Sequence, residues 1–386
     1  MGKSLNEIAQ ELKSCNKKVQ LIYAFNGTGK TRLSLEFKNL IQNLDTNEDG
    51  TGSLTRDKIL YYNAFTEDLF YWDNDFIENL GRVLQIQPNR FISWLITDSG
   101  LEERIAENFR HYTNDKLTPV FIRRLDIDGN LLRGNGSKEI IDGICFSYQQ
   151  GNDGSTEKFE GIKISKGEES NFIWSIFYSL LELVIEELNI PEPEDRSTAD
   201  FDALEYVFID DPVTSLDENH LIEVASNLGA LIKSCESDVR FIITTHNPLF
   251  YNVLYNELKK SQRLRLEKLE DSTYELIRQD DDSPFAYHLF LKNELNTAIK
   301  NNDIQKYHFN FLRNLYEKTS TFLGYEKWTD LLPDDGSKKN YEARVVNISS
   351  HSRHSEDEYP ELNPQEKQML VYLFKEFEKT YHFSEV

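Results

Sequence analysis

One stretch decides the fold of the first part of this 386-residue chain, Phe25-Asn26-Gly27-Thr28-Gly29-Lys30-Thr31. A largely apolar run at 19–23 precedes it, and an amphipathic pattern beginning at Leu33 follows it. This order predicts a strand, a glycine loop and a helix. A helix N-terminus offers free amides to an anion, and glycines let the backbone approach that anion closely. The stretch predicts a phosphate-binding loop, although Ala24 stands where such loops usually have a glycine. A plain glycine-rich turn is the alternative.

Each residue type in this loop suits one part of a bound nucleotide. Asn26, Gly27 and Gly29 are expected to surround the phosphates. Lys30 is expected to bring a positive charge to the outer phosphates, and Thr31 to offer a hydroxyl ligand to Mg²⁺. The sequence therefore predicts ATP or GTP with Mg²⁺ as the cofactor.

A second apolar run, Tyr206-Val207-Phe208-Ile209, ends in two acidic residues. Continuous apolar runs are typical of buried parallel strands, and an open α/β sheet binds its ligand at the carboxyl ends of such strands. We expect Asp210 to bind Mg²⁺ and Asp211 to position or activate the attacking water. An exposed Asp-Asp-Pro turn is the alternative.

Three further segments complete an ordered set of motifs. They are Ile164-Ser165-Lys166-Gly167-Glu168-Glu169-Ser170 before a long apolar helix, Ser215-Leu216-Asp217, and His246 after the apolar run 241–245. The set resembles the ABC-type ATPase heads, in the branch that includes DNA-repair clamps and defence ATPases. The resemblance implies an α/β P-loop head that dimerises around nucleotide. It also implies that Ser165, Gly167 and Glu168 reach the γ-phosphate held by the other subunit, with Asp217 in the D-loop and His246 as the switch histidine.

Charge and cysteine content limit the possible classes of protein. The formal net charge is −23, and the acidic excess lies mainly in residues 1–257, whereas residues 258–354 are close to neutral. A polyanion such as RNA is therefore expected to meet the later region. The three cysteines match no disulfide framework or zinc site, and no signal peptide or apolar span is apparent. We expect a cytoplasmic protein with no membrane partner, which argues against an ABC transporter subunit.

The pattern predicts two domains. Residues 1–257 should form the ATPase head, with a helical insert at about 64–116. Residues 258–386 should be mainly α-helical, because amphipathic or apolar helical patterns run from about Asp303 to Leu323 and from Asn363 onward. Asn363 is followed by Pro364 and Glu366, which is a strong helix start.

A second candidate site lies in the later region. Arg313 and Glu317 stand at i and i+4 of the predicted helix, among residues that suggest burial. An ordinary helix ion pair is the alternative. A cluster of Arg, Ser and His follows between Arg344 and His354, where His351 could transfer a proton and Arg344 could bind a phosphate. A polar loop is the alternative for that cluster.

Longer strings make a more specific resemblance. Phe311-Leu312-Arg313-Asn314-Leu315-Tyr316-Glu317-Lys318, Ser349-Ser350-His351-Ser352 and Tyr61-Tyr62-Asn63-Ala64-Phe65-Thr66-Glu67-Asp68-Leu69-Phe70-Tyr71-Trp72-Asp73-Asn74 are similar to the PrrC-type tRNA anticodon nucleases. The resemblance covers nearly the whole chain. It implies a catalytic set of Arg313, Glu317 and His351, while the spacing from Arg344 to His351 resembles the motif of helical HEPN ribonucleases.

The family resemblance also implies a biological setting. Its members cut the anticodon of a lysine tRNA and are held silent by a type I restriction-modification complex until a phage disturbs that complex. No second acidic or histidine cluster is apparent in the later region, so we expect cleavage without a metal ion, leaving 2′,3′-cyclic phosphate and 5′-hydroxyl ends. The alternative is an ATPase subunit that controls a separate effector or binds DNA ends without cutting RNA.

Overall fold

The structure is a computed structural model. It describes residues 2–42, 58–62, 70–77, 81–86, 100–113, 116–124, 131, 141–150, 157–159, 161–212, 218–269, 271–279, 287–350 and 362–381. The chain divides into two compact units between Pro284 and Phe285.

A six-stranded sheet forms the centre of the first unit. Its strands are β1 (Val19–Tyr23), β2 (Ile59–Tyr62), β8 (Tyr206–Asp210), β9 (Arg240–Thr245), β10 (Gln262–Lys268) and β11 (Tyr274–Arg278). Their order across the sheet is β11-β10-β1-β9-β8-β2, and every neighbouring pair is parallel except β10 with β11. Strands β1 and β8 are fully buried, as their continuous apolar runs predict.

The described part of the first unit also contains six α-helices. They are α1 (Leu5–Ser14), α2 (Lys30–Gln42), α3 (Glu102–Tyr112), α4 (Lys166–Leu188), α5 (Glu218–Ser234) and α6 (Pro248–Glu257). Residues Leu33 and Phe37 of α2 pack on β8, and Ile8 of α1 joins the same core. The sequence prediction of an α/β unit is confirmed by this arrangement.

The predicted helical insert at about 64–116 is wrong, because described residues of this region form strands of a second sheet. It contains β3 (Phe70–Ile77), β4 (Gly81–Ile86), β5 (Leu117–Arg123), β6 (Ile141–Gln150) and β7 (Glu157–Phe159). Only α3 is helical within the described part of the insert. Aromatic residues favour strands, and Phe70 is buried whereas Tyr71 is exposed, which is the alternation of a strand.

The predicted domain boundary at 257 is also wrong. Strand β10 pairs in parallel with β1, so the chain as far as β11 belongs to the first unit. Strand β10 lies near the sheet edge and buries only Leu264 and Leu266. Charged residues alternate with those leucines, so the sequence of this strand contains no continuous apolar run.

The second unit is helical in its described residues. Its helices are α7 (Tyr287–Lys300), α8 (Tyr307–Leu323), α9 (Lys338–Ser350) and α10 (Pro364–Thr380), with a 3₁₀ turn at Trp328–Leu331. One core joins them, and Asn363 caps α10 with the predicted capping box. Helix α8 is apolar nearly all round, yet in this chain Tyr307 is half-exposed and Phe322 is 88% exposed.

Across the described ranges, no helix combines the length and apolar character that a membrane crossing requires.

Candidate functional site

The loop between β1 and α2 has the backbone shape that its glycines permit. Gly27 and Gly29 have φ angles of 79° and 109°, which side chains other than glycine rarely adopt. Lys30 begins α2 and is only 7% exposed. Its Nζ lies 3.3 Å from the Ala24 carbonyl oxygen and 3.3 Å from Asn26 Oδ1. The lysine is therefore held against the loop by oxygen acceptors.

Asp210 lies at the carboxyl end of β8, in the same buried region. The Thr244 hydroxyl donates a hydrogen bond to Asp210 Oδ1, and Ser34 Oγ lies 3.4 Å from Oδ2. A hydrogen bond from the Thr31 side chain also reaches this carboxylate. Burial raises the pKa of Asp210 above its usual range. The structure thus brings together Thr31 and Asp210, the two residues predicted to bind Mg²⁺.

Asp211 joins the loop lysine to the predicted switch histidine. Its φ of 54° is unusual for a residue other than glycine, although Asp and Asn tolerate that region best. Its Oδ2 lies 2.6 Å from His246 Nδ1 and 3.5 Å from Lys30 Nζ. Burial alone would raise the pKa of Asp211, but the hydrogen bond from His246 and the charge of Lys30 outweigh it, so this pKa is lowered.

This set of side chains fits a nucleotide with Mg²⁺. A hydroxyl, one or two carboxylates and the phosphates of a nucleotide are the ligands that Mg²⁺ prefers in such sites. Asp210 is completely buried, and Lys30 and Asp211 are nearly so. Burying so much charge is costly without a ligand that uses it. Thr31 and Asp210 are suited to the metal, and Lys30 with the loop amides to the phosphates.

The predicted signature residues begin α4. Ser165 is the helix N-cap: its hydroxyl accepts a hydrogen bond from the Glu168 amide, and the Glu168 carboxylate accepts one from the Ser165 amide. Gly167 lies in the first turn. Glu169 is buried and accepts a hydrogen bond of 2.8 Å from Trp72 Nε1 on β3. The described contacts do not join these residues to the phosphate-binding loop of the same chain. The predicted D-loop residue Asp217 lies outside the described residues.

Two contributors to the site were not predicted. Thr244 binds Asp210, and its place at the end of an apolar strand beside β8 could have suggested this role. Tyr274 on β11 packs against Gly29 of the phosphate-binding loop. A Cβ atom added to Gly29 would lie 3.4 Å from the Tyr274 hydroxyl oxygen. No motif marks Tyr274 in the sequence.

The second candidate site lies on α8 of the helical unit. Arg313 Nε donates a hydrogen bond of 2.7 Å to Glu317 Oε1, and the two side chains are 36% and 42% exposed. The predicted burial of this pair is therefore wrong: the pair borders solvent while Leu312 and Tyr316 beside it enter the core. A half-exposed pair is open to a large ligand.

The other members of the predicted set are on or after α9. Arg344 is exposed on this helix, near its end at Ser350. His351 follows at once and lies outside the described residues, as does the rest of the cluster to 361.

Two buried polar residues of the helical unit were also missed. His308 is 3% exposed, and its Nδ1 accepts a hydrogen bond of 2.8 Å from the Gln305 amide. Burial lowers the pKa of His308, so the ring is suited to a structural role. Lys292 is equally buried and forms an ion pair of 3.3 Å with Glu378 on α10, which ties α7 to α10.

Comparison with known proteins assigns the chain to a family. A family model described as an AAA domain matches residues 160–377. An Escherichia coli protein named "Anticodon nuclease" is 50% identical over 95% of this chain and 94% of its own length. The chain belongs to the anticodon nuclease family. The PrrC-type resemblance of its sequence is thereby confirmed, and so is the presence of an ATPase domain.

A solved structure was also matched. It is the crystal structure of the SmcHead bound to the C-winged helix domain of ScpA, at 12% identity and a TM-score of 0.27. The match covers 47% of this chain and 43% of the other. Similarity at this level carries no argument about the fold.

Proposed function

We propose that this protein is a nucleotide-controlled endoribonuclease that cuts a tRNA in its anticodon loop. The observation that carries the proposal is the 50% identity, over nearly the full length of both chains, to a protein named Anticodon nuclease. The Arg313–Glu317 pair gives the proposal a chemical site, because it places a cation and a carboxylate together at a solvent-accessible position.

The proposed reaction is transfer of a phosphodiester to the neighbouring ribose 2′-hydroxyl. The 2′-oxygen attacks phosphorus while the bond to the 5′-oxygen breaks. Either Glu317 or His351 removes the 2′-hydroxyl proton, and the other protonates the leaving 5′-oxygen. Arg313 stabilises the charge that develops on the phosphate oxygens, with Arg344 as the alternative for this role. The products are a 2′,3′-cyclic phosphate and a 5′-hydroxyl, and the proposed step uses no metal ion.

The first unit is the proposed control element. Lys30, Asn26, Gly27 and Gly29 would hold the phosphates of ATP or GTP, and Thr31 with Asp210 would hold Mg²⁺. The bound nucleotide supplies a hydrolysable phosphoanhydride. Asp211 would orient a water molecule toward that phosphoanhydride. The contacts with Lys30 and the His246 side chain would keep the Asp211 carboxylate ionised.

A second copy of the chain would complete the nucleotide site. Ser165, Gly167, Glu168 and Asp217 would approach the phosphates from that copy, so we propose a homodimer. For this chain we further propose a lysine tRNA as substrate, a type I restriction-modification complex as inhibitor and a role in anti-phage defence in the cytoplasm. These proposals rest on the family resemblance alone.

The test is the position and chemistry of the cut. Purified protein is incubated with a lysine tRNA and nucleotide, and new ends are assayed by phosphorylation of 5′-hydroxyls with and without phosphatase treatment. We expect one cut in the anticodon loop, with a labelled 5′-hydroxyl and a cyclic phosphate. A His351→Ala protein should not cut but should still bind nucleotide.

Other outcomes would contradict parts of this scheme. Preserved cutting by His351→Ala would remove that residue from the mechanism. A 5′-phosphate end would exclude attack by the 2′-hydroxyl. Nucleotide hydrolysis with no cut in any tRNA would favour an ATPase subunit that regulates another effector or binds DNA ends.

A further inference from the structure

A cavity of about 750 Å³ lies in the first unit, away from the phosphate-binding loop. Its walls come from the segment before β1, the segment before β10, and the end of the antiparallel strand β11. Parallel strands begin at one edge of a sheet and end at the opposite edge. The cavity is therefore at the edge where β1 begins, whereas the phosphate-binding loop follows the end of β1.

Four cationic side chains line this cavity. They are Lys17, Lys259, Arg263 and Arg278. Among the lining residues that the structure describes, Glu11 is the one carboxylate, and Lys3 already forms an ion pair with it at 2.6 Å. This concentration of positive charge is unexpected in a chain whose net charge is −23.

Within the described residues, the side chains of Lys17, Lys259 and Arg278 have no acidic partner. The Arg263 guanidinium stacks on the Tyr255 ring at 3.5 Å and donates to the Lys259 carbonyl, which leaves its Nε buried with no hydrogen-bond partner. Like charges gathered without counter-ions repel one another, and an unsatisfied buried donor is costly. An anion in the cavity would reduce the repulsion among the cations.

The lining residues indicate the chemistry of that anion. Besides the cations they are mainly polar, with the buried Ser261 hydroxyl also lacking a hydrogen-bond partner in the described structure. None of the described lining residues has an aromatic ring on which a nucleobase could stack. The groups present recognise phosphates rather than bases.

We propose that this cavity is a phosphate-binding site that takes backbone phosphates of the RNA substrate. The choice of RNA as the source of the phosphates rests on the proposed function. Such a site would increase affinity for tRNA without reading its sequence, because contacts to phosphates position a nucleic acid while contacts to bases specify it. The head would then contribute to substrate binding as well as to nucleotide binding.

The test compares two doubly substituted full-length proteins. Lys17→Gln with Lys259→Gln removes two exposed cations of the cavity. Lys260→Gln with Lys268→Gln removes two exposed cations of the same unit that do not line it. Binding of fluorescent lysine tRNA is measured by anisotropy between 0.05 and 0.3 M salt, in the background of Glu317→Gln to prevent cutting.

We expect weaker tRNA binding only from the protein with Lys17→Gln and Lys259→Gln, here called the cavity pair. Two lost phosphate contacts should reduce affinity about 10- to 30-fold at 0.15 M salt. They should also make the negative slope of log K against log salt shallower by about 1.4–1.8. Equal effects of the two pairs would overturn the proposal. So would a cavity pair that loses binding of tripolyphosphate, measured by calorimetry, but keeps that of tRNA.

The result can be separated from the proposed function. In proteins that retain Glu317, the cavity pair should raise the KM for tRNA and leave the kcat unchanged. If no protein cuts tRNA but the salt slope still falls for the cavity pair, the proposed cleavage fails and the phosphate site stands. If cutting occurs and the salt slope is unchanged, only the phosphate site fails.

Discussion

The substitution Glu317→Gln gives the sharpest test of the second site. Glutamine keeps the shape of glutamate and can still accept a hydrogen bond from Arg313, but it cannot take or give a proton. General acid or base catalysis by one positioned side chain contributes about 10²- to 10⁴-fold. At about 1.4 kcal/mol for each factor of ten, the barrier should rise by about 3–5 kcal/mol.

The structure sets a much smaller limit on the effect of this change on stability. The Arg313 and Glu317 side chains are 36% and 42% exposed. A helix pair with that exposure contributes about 0.3–0.5 kcal/mol to the free energy of unfolding. The loss of cutting therefore cannot come from unfolding if the fold is stable by several kcal/mol.

Single-turnover cutting of lysine tRNA and urea unfolding measure the two quantities in the same protein. Glu376→Gln is the matched control, because Glu376 also forms an exposed ion pair on a helix of this unit, with Lys379 at 3.8 Å. It should lose no more than about 0.5 kcal/mol of stability and keep its cutting rate. A Glu317→Gln protein that cuts within five-fold of the parent rate would refute the role of Glu317 as acid or base.

Three further outcomes follow from the described contacts. Asp211→Asn should stop nucleotide hydrolysis with binding retained, and should lower the free energy of unfolding in urea by about 1–3 kcal/mol because buried Lys30 loses its counter-charge. Gly29→Ala should weaken binding of a fluorescent nucleotide at least ten-fold, because a φ of 109° is strained for alanine; unchanged binding would show that the loop relaxes freely. Burial lowers the pKa of His308 from 6.5, so its stabilising contribution is present above that pH and is lost as the pH falls below it. His308→Gln should flatten the acid side of a melting-temperature profile, and an identical profile would mean that burial of the ring has no such effect.

Much of the nucleotide site could be predicted because its chemistry is local. The loop around Lys30 and the acidic pair after β8 each follow an apolar strand, and strand order brings them together. The cap at Asn363 was predicted in the same way, since a capping box is a pattern over four residues.

The rest depended on contacts between distant segments. Tyr274 supports Gly29 from a strand that is far away in sequence. Strand β3 pairs with β4 through residues such as Trp72 and Leu84, and its mixture of aromatic and acidic residues resembles an irregular helix when it is read alone. The exposure of Phe322 could not be predicted from the helical period, because that period does not show which faces have a neighbour.

The late strands of the first unit have a practical consequence for anyone who isolates the head. A fragment that ends at residue 257 would lack β10, and the fully buried strand β1 would then become an open sheet edge. Open apolar edges recruit strands from other molecules and lead to aggregates. A fragment that continues to residue 279 keeps this edge covered, so we expect it to stay monodisperse in gel filtration where the shorter fragment precipitates.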